Sequence, residues 1–348
     1  MVEQSALEQS IDIDREDRQS LREQYLASLQ KATEALLDPL NEPGVLNRAI
    51  GDLYSLFSEI TGIRSESESS EDVTDTMLAQ GLALSPRGAA RCIFHFQRTA
   101  RFLRGLKGAI IQAQQRFPNQ TIHVLYAGCG PYATLFIPLT TQFKADEVQF
   151  TLLDIHKRSL DAAQGLAETL GVSAYIRDSI ECDAAEYRHS DESPIHVIVT
   201  EVMQKALIKE PQVAVTLNLA PQLCKGGIFI PEKIALDICV AKVINGMPQL
   251  HEPDSVRIDL GRVFEITPIA SSFHPVKLRV PVRLSDNKML CILTRITVFD
   301  SITLDGMQTW LTHPTALPDT AGMDEGTEIE FWYSMGQHPK LDYKVLPA

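Results

Sequence analysis

The sequence is short of clustered positive charge and of long apolar runs. It has 32 Lys and Arg against 45 Asp and Glu, a formal net charge of −13, and no basic stripe. We therefore expect no nucleic-acid partner, because phosphate contacts need clustered basic residues. No run of 18 or more apolar residues occurs, so we expect no transmembrane helix and no membrane partner. The acidic start, MVEQSALEQSIDIDRED, lacks the apolar core of a signal peptide.

Closely spaced cysteines are also missing. The six cysteines are scattered along the chain without a CxxC pair. We therefore expect no metal site and no disulfide framework, and we expect reduced thiols in a cytoplasmic protein. The rest of the composition is ordinary for a globular chain. Its 348 residues, 44% of them hydrophobic, are enough for two or three domains.

The first eighty residues are predicted to form a helical N-terminal cap. Arg15 to Leu37 and Val45 to Ile60 both have the periodicity of amphipathic helices, and a polar connector, Arg64 to Asp75, follows them. A further helix is predicted after LSPRGAAR, because one apolar stripe recurs at steps of three and four residues. The stripe consists of Ile93, Phe96, Ala100, Leu103, Leu106 and Ile110.

The middle of the chain alternates short apolar strands with helical patterns. The predicted strands are Ile122–Gly128, Val148–Ile155, Ser173–Asp178 and Pro194–Glu201. This spacing is typical of an α/β domain whose parallel sheet is covered by helices on both faces. Beyond it, apolar and polar residues alternate between turns. We therefore expect a Rossmann-like domain over 81–235, with its leading helix, and an antiparallel, β-barrel-like domain over 236–348.

Open parallel sheets bind ligands beyond the carboxyl ends of their strands, which selects four positions. The first is the loop Gly128-Cys129-Gly130, where small residues let a ligand approach and a following helix would offer N–H donors. Asp154 ends the second strand, where an acid can bind both ribose hydroxyls of NAD or of S-adenosylmethionine. Ile180 and Glu181, after the third strand, are candidates for adenine contacts. Glu201 ends the fourth strand, and packing does not explain an acid there.

The cofactor is predicted to be S-adenosylmethionine. A dinucleotide fingerprint needs a third small residue, and Ala133 can serve, so NAD stays open on that ground. Only one nucleotide-binding half precedes the antiparallel region, however, and a single half favours S-adenosylmethionine over NAD.

Motifs at these positions resemble those of the S-adenosylmethionine-dependent methyltransferases, and among them the protein arginine methyltransferases. FQRTARFL is similar to the family's Arg-Thr-x-x-Tyr helix, which implies that Arg98 grips the cofactor carboxylate. Asp154 matches the ribose-binding acid of the family. Ile180 and Glu181 match its adenine contacts. The resemblance extends over roughly residues 82 to 343 and implies a Rossmann-like methyltransferase domain.

The resemblance also covers the acceptor side. TEVMQKALIKE is similar to the family's double-glutamate loop, and Glu201 and Glu210 keep its spacing of nine residues. Two carboxylates match the planar fork of donors on a guanidinium and can aim one nitrogen at a methyl group. QTWLTHP resembles the family's Thr-His-Trp segment, although the histidine position is occupied by Thr309. We expect Trp310 and Tyr333 in the core of the C-terminal domain.

Departures from the family bear on the substrate. Tyr126 stands where the family has an acid that helps to hold the cofactor ammonium, and its ring could instead face the sulfonium. The long dimerisation arm of the family is not recognisable in the C-terminal sheet, and this chain has a helical N-terminal region instead. Whether the protein forms a homodimer stays open. These changes favour a small-molecule substrate. We predict an N-methyltransferase for a small guanidino or amino compound, an arginine-like molecule or a natural-product intermediate of secondary metabolism.

Two alternatives remain open. With Tyr126 in place of the acid, the cofactor amine would be less tightly tied and could attack its own Cγ. Closure of a four-membered ring would yield azetidine-2-carboxylate and methylthioadenosine, as in the S-adenosylmethionine-cyclising synthases. The other alternative is a non-catalytic S-adenosylmethionine-binding subunit of a methyltransferase complex. Retention of Glu201 and Glu210 argues against that second alternative.

Overall fold

The structure is a computed structural model that describes residues 2–190, 193–250, 257–270 and 272–347, with side chains from residue 19 onward. Its α-helices are α1 Val2–Leu37, α2 Pro43–Thr61, α3 Ser70–Val73, α4 Pro86–Arg91, α5 Phe96–Arg116, α6 Lys157–Leu170 and α7 Gln212–Leu219. Its strands are β1 Thr76–Leu78, β2 Gly81–Ala83, β3 Ile122–Ala127, β4 Val148–Asp154, β5 Ile176–Glu181, β6 Ile195–Thr200, β7 Leu223–Ile230, β8 Lys233–Ile244, β9 Met247–Gln249, β10 Ile258–Ile266, β11 Val276–Arg279, β12 Lys288–Phe299, β13 Ile302–Leu304, β14 Thr315–Ala316, β15 Glu328–Ser334 and β16 Lys340–Val345. None of the described helices is both long and apolar enough to cross a membrane.

A five-stranded parallel sheet lies at the centre of the molecule, as the alternating pattern predicts. Its strand order is β5-β4-β3-β6-β7. Every residue of β3 and β6 is buried, which accounts for their continuous apolar sequences. The chain runs outward from β3 to β5 and then returns to β6 on the other side of β3. The strand order therefore reverses between β3 and β6, and ligands bind beyond the carboxyl ends of the strands at such a point.

Helices cover both faces of this sheet. Val124 and Tyr126 of β3 belong to the core that α5 and α6 complete, whereas Leu125 and Ala127 belong to the core beneath α7. The two predicted N-terminal helices are confirmed as α1 and α2, and their buried side chains join the core of α5. The side chains of residues 15–18, within the first predicted helix, lie outside the described ones.

The third predicted strand begins too early. Residues Ser173–Tyr175 form a 3-10 turn, and the strand β5 runs from Ile176 to Glu181. Gly171 ends α6 in a left-handed conformation with φ 66°, and the chain needs the following turn before it can enter the sheet. Ile180 and Glu181 therefore lie within the strand and not after it.

The C-terminal part is antiparallel, as predicted, and forms two sheets. The larger has the order β10-β8-β12-β13, with β9 and β14 at its edges, and the smaller has the order β11-β15-β16. Helix α5 packs against β12 through glycines that would otherwise weaken a helix. A Cβ atom on Gly105 would lie 2.6 Å from Val298 Cγ1. The glycine therefore permits the close approach that joins the antiparallel part to the parallel sheet.

Candidate active site

A cavity lies at the carboxyl edge of the parallel sheet. Its empty volume is about 1000 Å³, part of it open to solvent. The structure brings eight of the predicted site residues to its lining: Arg98, Tyr126, Gly128, Cys129, Gly130, Asp154, Glu201 and Glu210. Ile180 and Glu181 do not line it. Cys182, Asp183 and Ala184, which follow β5, lie there instead.

The glycine loop after β3 is shaped for close approach. Gly128 and Gly130 have φ angles of 72° and 63°, in the left-handed region that favours glycine. A Cβ atom on Gly128 would lie 2.3 Å from Val202 Cγ1, so no other residue fits there without displacement. The α-helix predicted to follow this loop is absent. Turns replace it, because Ala133 is left-handed with φ 41° and so interrupts a right-handed helix.

Asp154 is held rigidly beside that loop. Its Oδ2 accepts the N–H of Gly130 at 2.9 Å, and its Oδ1 accepts the N–H of His156 at 2.9 Å. The carboxylate is buried at the cavity wall. Each carboxylate oxygen can accept more than one hydrogen bond, so Asp154 can still receive two ligand hydroxyls.

Arg98 and Glu201 form a buried contact in the lining of the cavity. Arg98 Nη2 lies 2.6 Å from Glu201 Oε2, and Arg98 is only 9% exposed. The other oxygen of the same carboxylate, Oε1, is buried and has no hydrogen-bond partner among the residues that the structure describes. Burial raises the pKa of Glu201 to about 8, against the opposing effect of Arg98. An unpartnered buried carboxylate oxygen is costly, and a donor from a ligand would remove that cost.

Glu210 lies in the same cavity and is 6% exposed. Burial raises its pKa to about 7, while a hydrogen bond from Gln204 and the charge of Arg98 act in the opposite direction. Glu210 in turn raises the pKa of Glu201. The two predicted glutamates therefore form one electrostatically coupled pair whose protonation can change near neutral pH.

The loop that joins these glutamates is strained. Ala206, Leu207 and Lys209 have φ angles of 56°, 53° and 67°. Non-glycine residues in this region cost on the order of 1–3 kcal/mol each and persist only where the surroundings hold them. Such strain is typical of segments that position functional groups.

The C-terminal strands supply the contacts that hold this loop. Thr294 Oγ1 on β12 accepts the N–H of Ala206 at 3.0 Å. The hydroxyl of Tyr333 on β15 donates to the carbonyl of Leu207 at 2.7 Å. Tyr333 is therefore an anchor of the loop as well as a packed residue. The antiparallel part of the molecule thus determines where the glutamates lie.

Trp310 is not in the core, contrary to the prediction. It is 49% exposed, and Lys205 Nζ of the glutamate loop lies 4.7 Å from its ring centroid. The indole therefore covers the outer side of the loop. The cation–π contact with Lys205 partly offsets the cost of exposing the Trp310 ring to water.

Tyr126 lines the cavity from β3 and is 4% exposed. Burial, together with Cys129 and Glu201, raises its pKa well above the usual range of a phenol. The side chain is therefore neutral at physiological pH. It therefore presents an uncharged ring and hydroxyl to the cavity, near Glu201.

One part of the cavity lining, which we call the roof, was not predicted from the sequence. The hairpin β1–β2 and the residue after it place Leu78, Leu82, Ala83 and Leu84 in the lining. The signal was weak, since each strand has only three residues. Cys92, after α4, is a second missed lining residue, and its thiol lies close to Arg98.

No family model and no curated protein matches the sequence. Among solved structures, the chain is similar to one in the Trypanosoma brucei PRMT1 enzyme-prozyme heterotetrameric complex with AdoHcy. The TM-score is 0.49 and the identity 12%, over 72% of this chain and 89% of that chain. The function is therefore inferred from the site itself.

Proposed function

We propose that the protein is an S-adenosylmethionine-dependent N-methyltransferase for a small guanidino or amino compound. The observation that carries the proposal is the pair Glu201 and Glu210, both buried in one cavity beside Arg98, with one glutamate oxygen left without a partner. Such an arrangement suits a cationic, hydrogen-bond-donating acceptor. It is poorly explained as packing, because two buried acids and an unpartnered carboxylate oxygen destabilise a fold.

The residues present fit S-adenosylmethionine. Gly128 and Gly130 line the cavity without side chains, so a ligand can approach the backbone there, and the Asp154 carboxylate is available for ribose hydroxyls. Arg98 is the cationic group suited to the carboxylate of the amino-acid end, and Cys182 to Ala184 line the wall beyond β5. Bound S-adenosylmethionine supplies an electrophilic methyl group. The chain itself must then hold an acceptor nitrogen in line with that group, which is chiefly a matter of placement.

Glu201 and Glu210 provide that placement. Two carboxylates can bind the fork of a guanidinium, or the hydrogens of an amine that has given up its extra proton, and so fix the direction of the attacking nitrogen. Their raised pKa values also let one of them hold the proton that the acceptor nitrogen gives up. Tyr126 would contribute a neutral aromatic face towards positive charge. A homodimer and a cytoplasmic location remain predictions from the sequence.

The test is product analysis with purified protein. S-Adenosylhomocysteine should form only when a guanidine or amine is added, and the acceptor should gain 14 mass units, the mass of CH₂. Binding of S-adenosylmethionine without any turnover across a broad amine and guanidine panel would favour the non-catalytic alternative and overturn this proposal.

One observation favours a second candidate, cyclisation of S-adenosylmethionine itself. Glu201, with its raised pKa, lies beside Arg98, the residue suited to the carboxylate at the amino-acid end. Glu201 is thus near the place where an amine proton would be accepted during ring closure. In that reaction a nitrogen–carbon bond forms, the carbon–sulfur bond breaks, and methylthioadenosine leaves. Methylthioadenosine from enzyme and S-adenosylmethionine alone would establish this candidate in place of methyl transfer.

A further inference from the structure

Acidic side chains outnumber basic ones in the lining of the cavity. Among the described residues, four carboxylates line it, and one basic side chain, Arg98, does so. The carboxylates belong to Asp154, Asp183, Glu201 and Glu210. Arg98 is already in contact with Glu201 at 2.6 Å. The side of the cavity lined by Glu201 and Glu210, the acceptor side, therefore favours positive charge, and among the described residues it has no unoccupied basic side chain to pair an anion.

The roof over the acceptor side is apolar and firmly attached. The N–H of Leu82 donates to the carbonyl of Lys209 at 2.7 Å, directly before Glu210. A Cβ atom on Gly81 would lie 2.7 Å from that same carbonyl oxygen, so only glycine permits this approach. At the other end, Thr76 Oγ1 lies 3.0 Å from His156 Nε2, beside Asp154. The hairpin β1–β2 thus crosses the cavity and places leucine side chains next to the glutamates.

We propose that the acceptor is a small alkylguanidine or alkylamine that lacks a carboxylate, and that the hairpin β1–β2 determines this selectivity. The inference rests on the proposed function and narrows its substrate class. A free amino acid would bring an anion under Leu78 and Leu82, beside carboxylates and away from any unoccupied basic group in the described lining. Burial of such an unpaired anion is unfavourable. A decarboxylated compound with the same cationic end avoids that cost.

The direct test compares two matched ligand pairs by calorimetry. Agmatine is compared with L-arginine, and 1,4-diaminobutane with L-ornithine, each titrated into protein saturated with S-adenosylhomocysteine so that Arg98 is already engaged. In at least one pair the decarboxylated member should bind about tenfold more tightly or better. Equal or tighter binding of the amino acids would overturn the inference. Absence of binding in both pairs would overturn it as well.

A charge introduced at the roof sharpens the test. Leu82→Arg should reduce or reverse the preference, because it supplies the missing basic group inside the cavity. Met77→Arg is the matched control: Met77 is the cross-strand partner of Leu82, is 45% exposed, and does not line the cavity. It should leave the preference unchanged. An equal effect of both variants would show that general charge, and not the roof, governs selectivity.

Failure of this inference is distinguishable from failure of the proposed function. Methylation of L-arginine in preference to agmatine would leave methyl transfer standing and reject the selectivity. Methylthioadenosine formed without an acceptor would reject methyl transfer, and the selectivity with it. The calorimetric comparison of the wild-type protein does not depend on whether Leu82→Arg folds.

Discussion

The two halves of the cavity are built in different ways. The half that we propose for the cofactor lies on the ends of regular strands, where backbone N–H groups of Gly130 and His156 hold Asp154. The half that we propose for the acceptor lies on a ten-residue loop, Glu201 to Glu210, with three non-glycine residues in the left-handed region. Its shape depends on side chains from β12 and β15 and on the hairpin β1–β2.

The two parts therefore have different expected roles. The strand ends would bind the cofactor, and the loop would orient the reacting group of the acceptor. A sheet edge is rigid because its backbone hydrogen bonds already fix it, so a cofactor can bind there at little cost in ordering. A strained loop keeps its shape only through distant anchors, so small changes in those anchors alter the position of the glutamates. Variants in the two halves should therefore change different measurements.

The largest effect is expected from Glu201→Gln. An amide cannot hold the cationic acceptor or accept its proton, so kcat should fall by about 10²–10⁴-fold. Single-turnover measurement of methyl transfer tests this expectation. Glu168→Gln, an exposed change on α6, is the control and should have no effect. More than about a tenth of the wild-type rate in Glu201→Gln would contradict the assigned role.

Asp154→Asn should affect the other half. Loss of a charged acceptor for the ribose costs about 1.5–3 kcal/mol, so the Kd for S-adenosylhomocysteine should rise by roughly 10–100-fold. Calorimetry measures that change, and acceptor affinity should stay the same. Asp161→Asn, whose exposed carboxylate pairs with Lys157 on α6, is the matched control. An unchanged Kd in Asp154→Asn would mean that this acid does not contact the cofactor.

Ligand affinity should also depend on pH differently in the two halves of the cavity. Ionisation of Glu210, with its pKa of about 7, and of Glu201, with its pKa of about 8, should strengthen the binding of a cationic acceptor as the pH rises from 6 to 9. Affinity for S-adenosylhomocysteine should vary less. Calorimetric titrations at half-unit pH intervals measure both. Parallel pH profiles for the two ligands would contradict the separation of the halves.

The same ionisation has a consequence for stability, with a definite sign. The folded form binds the Glu210 proton more tightly than the unfolded chain, since the pKa is raised from 4.5 to about 7. Its contribution is fully present below about pH 4.5 and is lost as the pH rises through 7, with an upper limit of roughly 3 kcal/mol. In Glu210→Gln, urea unfolding at pH 5.5 and pH 8 should therefore differ less than in the wild type.

The smallest expected effect is that of Tyr333→Phe. Removal of the bond to the Leu207 carbonyl should cost about 1 kcal/mol of stability and lower kcat several-fold, because the loop loses an anchor. Tyr175→Phe is the control, since that hydroxyl lies 2.6 Å from the Phe143 carbonyl and 3.1 Å from the Thr140 carbonyl, away from the cavity. Equal losses of stability with a kcat change in Tyr333→Phe alone would support the anchoring role.

The sequence was most informative where local pattern and buried position coincide. The strands β3, β4 and β6 lie within one residue of their predicted bounds, because continuous apolar runs between helices have few other interpretations. Asp154 and Glu201 follow directly from those bounds. The helix predicted after Gly130 fails, since the turn at Ala133 depends on packing that no local pattern encodes.

The parallel sheet and the residues at its edge could be predicted from local patterns in the chain. Strand periodicity and the topology rule suffice to bring the glycine loop, Asp154 and Glu201 to one side. The tertiary structure alone decided that the hairpin β1–β2 covers the cavity and that Tyr333 holds the glutamate loop. Those contacts join residues more than a hundred positions apart, and the left-handed conformations of the loop are stable only once such contacts have formed.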